Sequence, residues 1–369
     1  MRVKKIIGIL HLWLGLASGL LVFIIAVTGC VYCFQHEIQN ALQPYRFVKK
    51  QSAPFLPPSQ IKAAGEKAAP NKQVRSVLYG DAAHSAQVVF LNSKKGYYDI
   101  AYINPYTAEV LKVKDMNSDF FRFVLKGHFY LWLPPVVGKP AVAYTTLIFA
   151  AILISGIVLW QPKREKFRIK WNARWRRLNY DLHSVLGFYV VLLALVLALT
   201  GLVWGFQWFA NAVYKTAGGK KALRHADVIS TPRKEAPLID KVYAQMAKEH
   251  PRAQTIEVRI PHADTIAIAA TANPDADTHW KTDYRYYDQN TLQEIPVRHV
   301  RGRFREAQAA DKLLRMNYDI HTGAILGLPG KILAFFASLI CASLPVTGFL
   351  FWLGRKKKKQ RGTPSLIIS

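Results

Sequence analysis

The chain has 369 residues, with 50 Lys and Arg against 23 Asp and Glu, for a formal net charge of +27. At roughly 150 residues per domain, that length suits two or three folding units. The 51% hydrophobic content excludes disorder, because a disordered chain lacks this much apolar surface to bury. Heavy clustering of those residues argues against a plain soluble domain. Three cysteines make no disulfide framework, and Cys30, Cys33 and Cys341 all fall in apolar runs.

Four runs are long enough to cross a bilayer, which takes about 20 apolar residues. They are residues 6–34, 141–160, 184–210 and 332–353. The predicted order is a first membrane helix (1–36), an outside domain (37–125), a pre-helix with the second membrane helix (126–162) and a basic loop (163–178). A third membrane helix (179–210), a second outside domain (211–314), a pre-helix with the fourth membrane helix (315–354) and a basic tail (355–369) complete it. The start carries Arg2, Lys4 and Lys5, residues 163–177 carry eight Lys or Arg, and the tail adds six. All three lie on one side of a four-helix topology, which the positive-inside rule makes the cytoplasm. The charge is therefore largely a topology signal, and nucleic acid is not an expected partner.

Two leads at the N-terminus are set aside. Val27-Thr28-Gly29-Cys30 resembles a lipoprotein cleavage site, but its apolar run is longer than a signal peptide's and Thr-Gly recurs in the third helix. Cys30 and Cys33 form a C-x-x-C on a membrane helix, where packing is the simpler role.

The two intervening segments read as small α+β domains. Each begins with a helical stretch, 59–69 and 238–250. Strand-like runs follow at 74–78, 86–91 and 97–103, and again at 255–260, 265–270 and 283–287. Both close with a tight turn and a last short strand, over 103–110 and 287–295.

The plan of helix, outside domain and helix occurs twice. His11 precedes Gly15 by four positions and Thr28-Gly29 by 17; His183 precedes Gly187 and Thr200-Gly201 by the same intervals. The second helix holds Ser155-Gly156 then Trp160, and the fourth Thr347-Gly348 then Trp352. His128 and His321 stand 27 and 26 residues ahead of those two steps, behind Pro and Gly breakers. Asn179-Tyr180-Asp181-Leu182-His183 and Asn317-Tyr318-Asp319-Ile320-His321 add a further likeness. Parallel repeats about an axis along the membrane normal place equivalent histidines at equivalent depths.

Ionisable side chains at membrane depth default to function. His11 is expected to pair with His183 at the cytoplasmic ends, and His128 with His321 at the outer entrances. An imidazole pair from facing helices clamps a haem iron from both axial sides, with Gly15, Gly19 and Gly187 letting a flat macrocycle approach the backbone. A lone membrane histidine is more often a helix-to-helix hydrogen-bond partner; four in a two-by-two pattern favour haem. Zinc fits less well, since its sites cluster three or four ligands. His36 has no counterpart in the third helix and reads as structural, while His84, His225, His250, His262, His279 and His299 read as surface residues. The tryptophans near the membrane boundaries read mostly as an aromatic belt. There is no Gly-rich dinucleotide fingerprint or P-loop.

These motifs, His-x-x-x-Gly with Thr-Gly in the first helix, Asp181-Leu182-His183-Ser184-Val185-Leu186-Gly187 in the third, and Ile320-His321-Thr322-Gly323 with Thr347-Gly348-Phe349-Leu350-Phe351-Trp352 in the fourth, resemble the PepSY-associated transmembrane family. Residues 102–110 resemble the closing strand of a PepSY domain, with Ala108 where Gly is usual. The resemblance covers nearly the whole chain. It implies a bacterial inner-membrane protein with both termini cytoplasmic, two extracytoplasmic PepSY-like domains, and two b-type haems held by His11, His183, His128 and His321.

Family members include reductases of ferric siderophores. The expected activity is thus electron transfer outward to a ferric chelate, with a cytoplasmic flavin reductase or quinol as donor. Two other readings stand beside it: a non-redox PepSY-type binding or regulatory protein, and a metal or iron transport component. Arg301 and Arg303 lie in an Arg-rich run before the fourth helix and are the candidate chelate-docking residues, because the guanidinium fork suits carboxylate, hydroxamate and phosphate oxygens. Tyr284, Arg285, Tyr286 and Tyr287 are candidates for an adjoining wall, and a plain solvated or lipid-facing basic surface is the competing account.

Overall fold

A computed structural model describes residues 2–160, 167–220, 227–298 and 300–361. His225, His299 and part of the basic loop fall outside those residues, as do the side chains of the basic tail. In chain order the first half holds α1 (Arg2–Tyr32), α2 (Gln35–Leu42), α3 (Pro58–Ala68) and strands β1 (Val74–Tyr79), β2 (Ala86–Asn92), β3 (Tyr97–Ile103) and β4 (Val110–Asp115). Next come α4 (Phe120–Tyr130) and α5 (Pro135–Leu159). The second half holds α6 (Trp175–Asp181), α7 (Gly187–Gly205), α8 (Gln207–Thr216) and α9 (Ile239–Glu249). Strands β5 (Thr255–Arg259), β6 (Ile268–Asn273) and β7 (Asp283–Tyr287) follow, then α10 (Ala309–His321) and α11 (Gly327–Arg361). The chain divides into two compact units.

The first unit is the helical one: Met1–Cys33, Val124–Phe209 and Ile320–Ser369. Four spans within it are long and apolar enough to cross a membrane: Arg2–Tyr32, Pro135–Leu159, Trp175–Gly205 and Ala324–Gly354. The shortest has 25 residues, which at about 1.5 Å per residue exceeds the ~30 Å hydrocarbon core. Large apolar side chains point away from the bundle, with Leu20 70% and Leu192 72% exposed. Contact with lipid makes such a surface favourable. Inside, α1 packs against α5 and α11, and α7 packs against the same two. Small residues let the helices close: Ala194, Ala337 and Cys341 share a core with Leu153, Val190 and Val191.

The breakers ahead of α5 and α11 make two crowded turns. A Cβ on Gly138 would lie 2.2 Å from the Tyr130 carbonyl oxygen, and one on Gly330 would lie 2.0 Å from that of Gly323. No larger residue fits either place.

The second unit takes Phe34–Phe123 and Ala210–Asp319. The two expected α+β segments keep their helices and strands, but they share one antiparallel sheet. Its order is β4-β3-β2-β1-β5-β6-β7. The seam is β1 against β5, in register at Val77↔Val258 and Tyr79↔Ile256. Each of these strands would otherwise be an open edge, and pairing satisfies both. Helices α3 and α9 pack on the same face, over one core around Val77, Val88 and Phe90 and another around Val258, Ile268 and Tyr287. Asp240 of α9 accepts from the Ser59 amide (2.7 Å) and hydroxyl (2.5 Å) at the start of α3, tying the halves together.

One strand is displaced from its expected place, from 265–270 to Ile268–Asn273. The earlier residues are taken by another partner: the Ser230 amide donates to the Thr265 carbonyl, and Ile229 bridges Ile266. The two closing turns match in hydrogen bonding. The Ala108 amide donates to Asn104 and the Asn104 amide to Glu109; the Leu292 amide donates to Asp288 and the Asp288 amide to Gln293. Ala108 (φ 60°) and Leu292 (φ 59°) both take the left-handed conformation there. In the second half the last strand shrinks to a single bridge, Tyr287↔Glu294.

Candidate functional site

The four histidines lie in the helical unit, each half-buried. His11 projects from α1, and its Nδ1 lies 2.8 Å from Ser155 Oγ on α5. His183 sits in a π-helical turn, Leu182–Leu186, between α6 and α7. Its Nδ1 lies 3.0 Å from Thr347 Oγ1 and 3.1 Å from the Leu344 carbonyl, both on α11. His128, on α4, donates from Nδ1 to the Ile25 carbonyl of α1 at 2.9 Å, with Thr28 Oγ1 at 3.4 Å. His321 ends α10, with Nδ1 2.8 Å from Thr200 Oγ1 on α7. Every Ser/Thr-Gly step singled out in the sequence thus faces one of the four histidines.

The arrangement repeats when α1 is exchanged with α7 and α5 with α11. In α1, the 17 residues between His11 and Thr28 span about 25 Å of helix. The two histidine layers therefore occupy opposite ends of the bundle. His183 lies within electrostatic reach of His11. The other layer is a closer pair, the His128 and His321 rings standing 6.1 Å apart between centroids at 60°. Trp204 meets the His321 ring edge-on at 5.1 Å.

The His128–His321 pair has the spacing that two imidazoles on one haem iron would need. With a metal–imidazole bond of about 2 Å, two axial imidazoles on one iron place their centroids on the order of 6 Å apart, close to the His128–His321 spacing. In all four histidines Nδ1 is engaged and Nε2 makes no hydrogen bond among the described residues. Of the expected small residues, Gly15 opens onto free space, with nothing within 4 Å of a Cβ placed there. Gly19 instead packs on Pro345 at 3.3 Å, and Gly187 on Leu344 at 3.6 Å.

Anchors absent from the sequence reading hold the histidine-bearing segments. Asn179 Nδ2 donates to the Thr347 carbonyl at 2.9 Å, and buried Asp181 accepts from Arg177 Nε at 2.8 Å. In the second copy of the motif, fully buried Asp319 accepts from the backbone amides of His279 and Trp280. The shared Asn-Tyr-Asp-x-His spelling was the signal. The π turn at His183 had none, although such turns often mark functional sites.

The other described histidines belong to the sheet unit and have local partners. His36 lies 3.4 Å from Asp277, His84 2.7 Å from Asp81 and His250 3.2 Å from Asp283. Cys30 is buried, and all three cysteines are free thiols.

Among the described residues the Arg-rich run is not a helix apart from a short 3-10 turn at Phe304–Glu306. Charge pairing shapes it instead. Arg303 forms a two-pronged ion pair with Glu294, which also takes Arg285 Nη1 at 2.8 Å. Arg315 donates to the carbonyls of Val300 (2.6 Å) and Gly302 (2.7 Å), holding the run against α10. A cavity of about 210 Å³ opens beside it, lined by Tyr284, Tyr286, Glu294, Arg303 and Glu306 among others. Its two carboxylates offset the arginine. Arg301 is exposed, and its carbonyl accepts from the Tyr286 hydroxyl at 3.2 Å.

No curated protein matches the chain. A family model of the PepSY-associated TM region matches residues 9–355, which takes in all four histidines and both halves of the sheet. The chain belongs to the PepSY-associated transmembrane family.

Proposed function

We propose that this protein is a dihaem b-type membrane oxidoreductase that passes electrons across the bacterial inner membrane to a ferric chelate, a siderophore, on the periplasmic side. The observation that carries the reading is the two-by-two set of histidines, each with Nδ1 engaged and Nε2 without a hydrogen bond among the described residues, at opposite ends of an apolar bundle. His11 and His183 would hold one haem, and His128 and His321 the other. When bound, haem supplies a one-electron Fe(III)/Fe(II) couple. The chain's own contribution is to fix the imidazoles and to exclude water with lipid-facing apolar helices.

Polarity follows from charge. By the positive-inside rule, the basic residues at the start, loop and tail support a topology with both termini in the cytoplasm and residues 37–125 and 211–314 outside. Each electron reduces one chelated Fe(III) to Fe(II), and a quinol or cytoplasmic flavin reductase is oxidised in return. Fe(II) is held less tightly by such chelates and is released for uptake. An internal duplication accounts for the matched helix pairs and for the matched closing turns of the sheet.

The test is a visible spectrum and a haem assay on the purified protein. Two haems per chain, with sharp α-bands on reduction, are expected; a colourless protein from haem-replete cells would overturn the reading.

A further inference from the structure

We propose that the four Ser/Thr-Gly steps are positioning devices that fix the tautomer and orientation of the ligand histidines, with Ser155 and Thr200 carrying more of that task than Thr28 and Thr347. The assignment rests on the haem reading above and concerns residues that do not touch the iron.

The tautomer follows from counting protons. A hydroxyl has one hydrogen to donate. Ser155 Oγ spends it on the Ile152 carbonyl at 2.8 Å, and Thr200 Oγ1 on those of Val196 (2.6 Å) and Leu197 (3.1 Å). Thr28 bonds the Ile24 and Ile25 carbonyls, and Thr347 those of Ser343 and Leu344. Each hydroxyl can then only accept from its histidine. The proton must sit on Nδ1, which leaves the Nε2 lone pair for a metal.

The four cradles fall into two kinds. At His128 and His183, a carbonyl three residues before the threonine also takes Nδ1–H: Ile25 at 2.9 Å and Leu344 at 3.1 Å. Near His11 and His321 the equivalent carbonyls, Ile152 and Leu197, also engage the ring, but the hydroxyls are the close partners, both at 2.8 Å. The glycines divide the same way. A Cβ on Gly29 would come within 2.9 Å of His128 Cε1, and one on Gly348 within 3.2 Å of His183 Cε1. For Gly156 against His11 and Gly201 against His321 the distance is 3.6 Å. Each proposed haem pair therefore joins a closely seated, carbonyl-anchored imidazole to one oriented chiefly by a hydroxyl.

The experiment compares full-length Ser155→Ala and Thr200→Val with Thr28→Val and Thr347→Val, reading haem content and the rate of haem transfer to excess apomyoglobin. Removing a partner that orients a metal-bound histidine lowers metal affinity roughly 10- to 100-fold. Ser155→Ala and Thr200→Val are expected to lose one haem at least about tenfold faster, and Thr28→Val and Thr347→Val to stay near wild type. Thr200→Ser should restore retention, which separates the hydrogen bond from the fold. Gly29→Ala should expel the His128 ring and abolish one low-spin signal, while Gly201→Ala should leave it. If the wild type holds two haems and Ser155→Ala and Thr200→Val retain both as tightly, the assignment is overturned and the haem reading stands. Equal loss in all four hydroxyl variants overturns the division into two kinds. A wild-type protein without haem overturns the haem reading and this assignment together.

Discussion

His128 and His321 come from helices 179 residues apart in sequence, yet their rings face each other at 6.1 Å between centroids. Neither helix brings its partner there. His128 is held by α1 and His321 by α7, through contacts at Ile25 and Thr200. A histidine pair built this way depends on four helices at once.

That dependence predicts the outcome of removing single ligands. His183→Ala should halve the haem content and leave the second haem's spectrum unchanged, because its layer lies about 25 Å away along the bundle. His321→Ala should do the reverse. Haem assay with difference spectra checks both; if no two of the four positions affect haem, the ligand set is wrong.

Electron flow should have one direction. Ferric chelate that cannot cross the membrane should be reduced rapidly by right-side-out vesicles and slowly by sealed inverted ones, given donor within reach. Equal rates on the two faces would contradict the proposed polarity.

Arg301 and Arg303 should behave differently. Arg303 is committed to Glu294, so Arg303→Ala should lower the melting temperature of the protein. If the proposed chelate reduction holds, exposed Arg301 is the docking candidate: Arg301→Ala should raise KM for an anionic ferric chelate about two- to fivefold, the size expected of one exposed charge. The effect should fade with salt as the screening length falls below about 8 Å. An unchanged KM removes Arg301 from the docking face.

Ala108 holds a left-handed backbone at φ 60°. That conformation costs an L-residue about 1–2 kcal/mol, and glycine's extra chain entropy offsets part of the relief. Ala108→Gly should therefore stabilise the sheet unit by up to about 1 kcal/mol, seen as a higher melting temperature. A lower one would mean that the methyl group packs more usefully than the backbone suffers.

Asp288 staples the second closing turn. Burial alone would raise its carboxyl, but bonds from the Thr231 hydroxyl and from the amides of Thr291, Thr231 and Asn290 outweigh it and hold the group well below the usual carboxylate range. A depressed folded pKa adds stability above about pH 4, the unfolded value, and that stability is lost as pH falls through the folded one. Asp288→Asn should cost about 2 kcal/mol at neutral pH. Its gap to wild type should narrow steadily below pH 4. Melting curves from neutral to acid pH decide it; a gap independent of pH would show that the charge contributes nothing.

Much was legible in the residues themselves. Hydrophobic runs mark membrane helices because a spanning segment must be apolar over its whole length. The doubled spacing of His11 to Thr28 and His183 to Thr200 exposed the two-by-two layout. Ala108 looked odd against a glycine-preferring turn, and its φ supplies the reason. What the tertiary structure decided were relations between segments distant in the chain. Nothing in β1 or β5 alone says that they pair with each other, since any exposed edge can take any strand. Nor does a Thr-Gly step announce that its hydroxyl accepts from a histidine on another helix. The conversion of Arg303 from a free charge to half of an ion pair likewise needed Glu294 nine residues away to fold beside it. Local periodicity is written in neighbouring residues; hydrogen-bond partners across helices and strands are set only when packing brings them together.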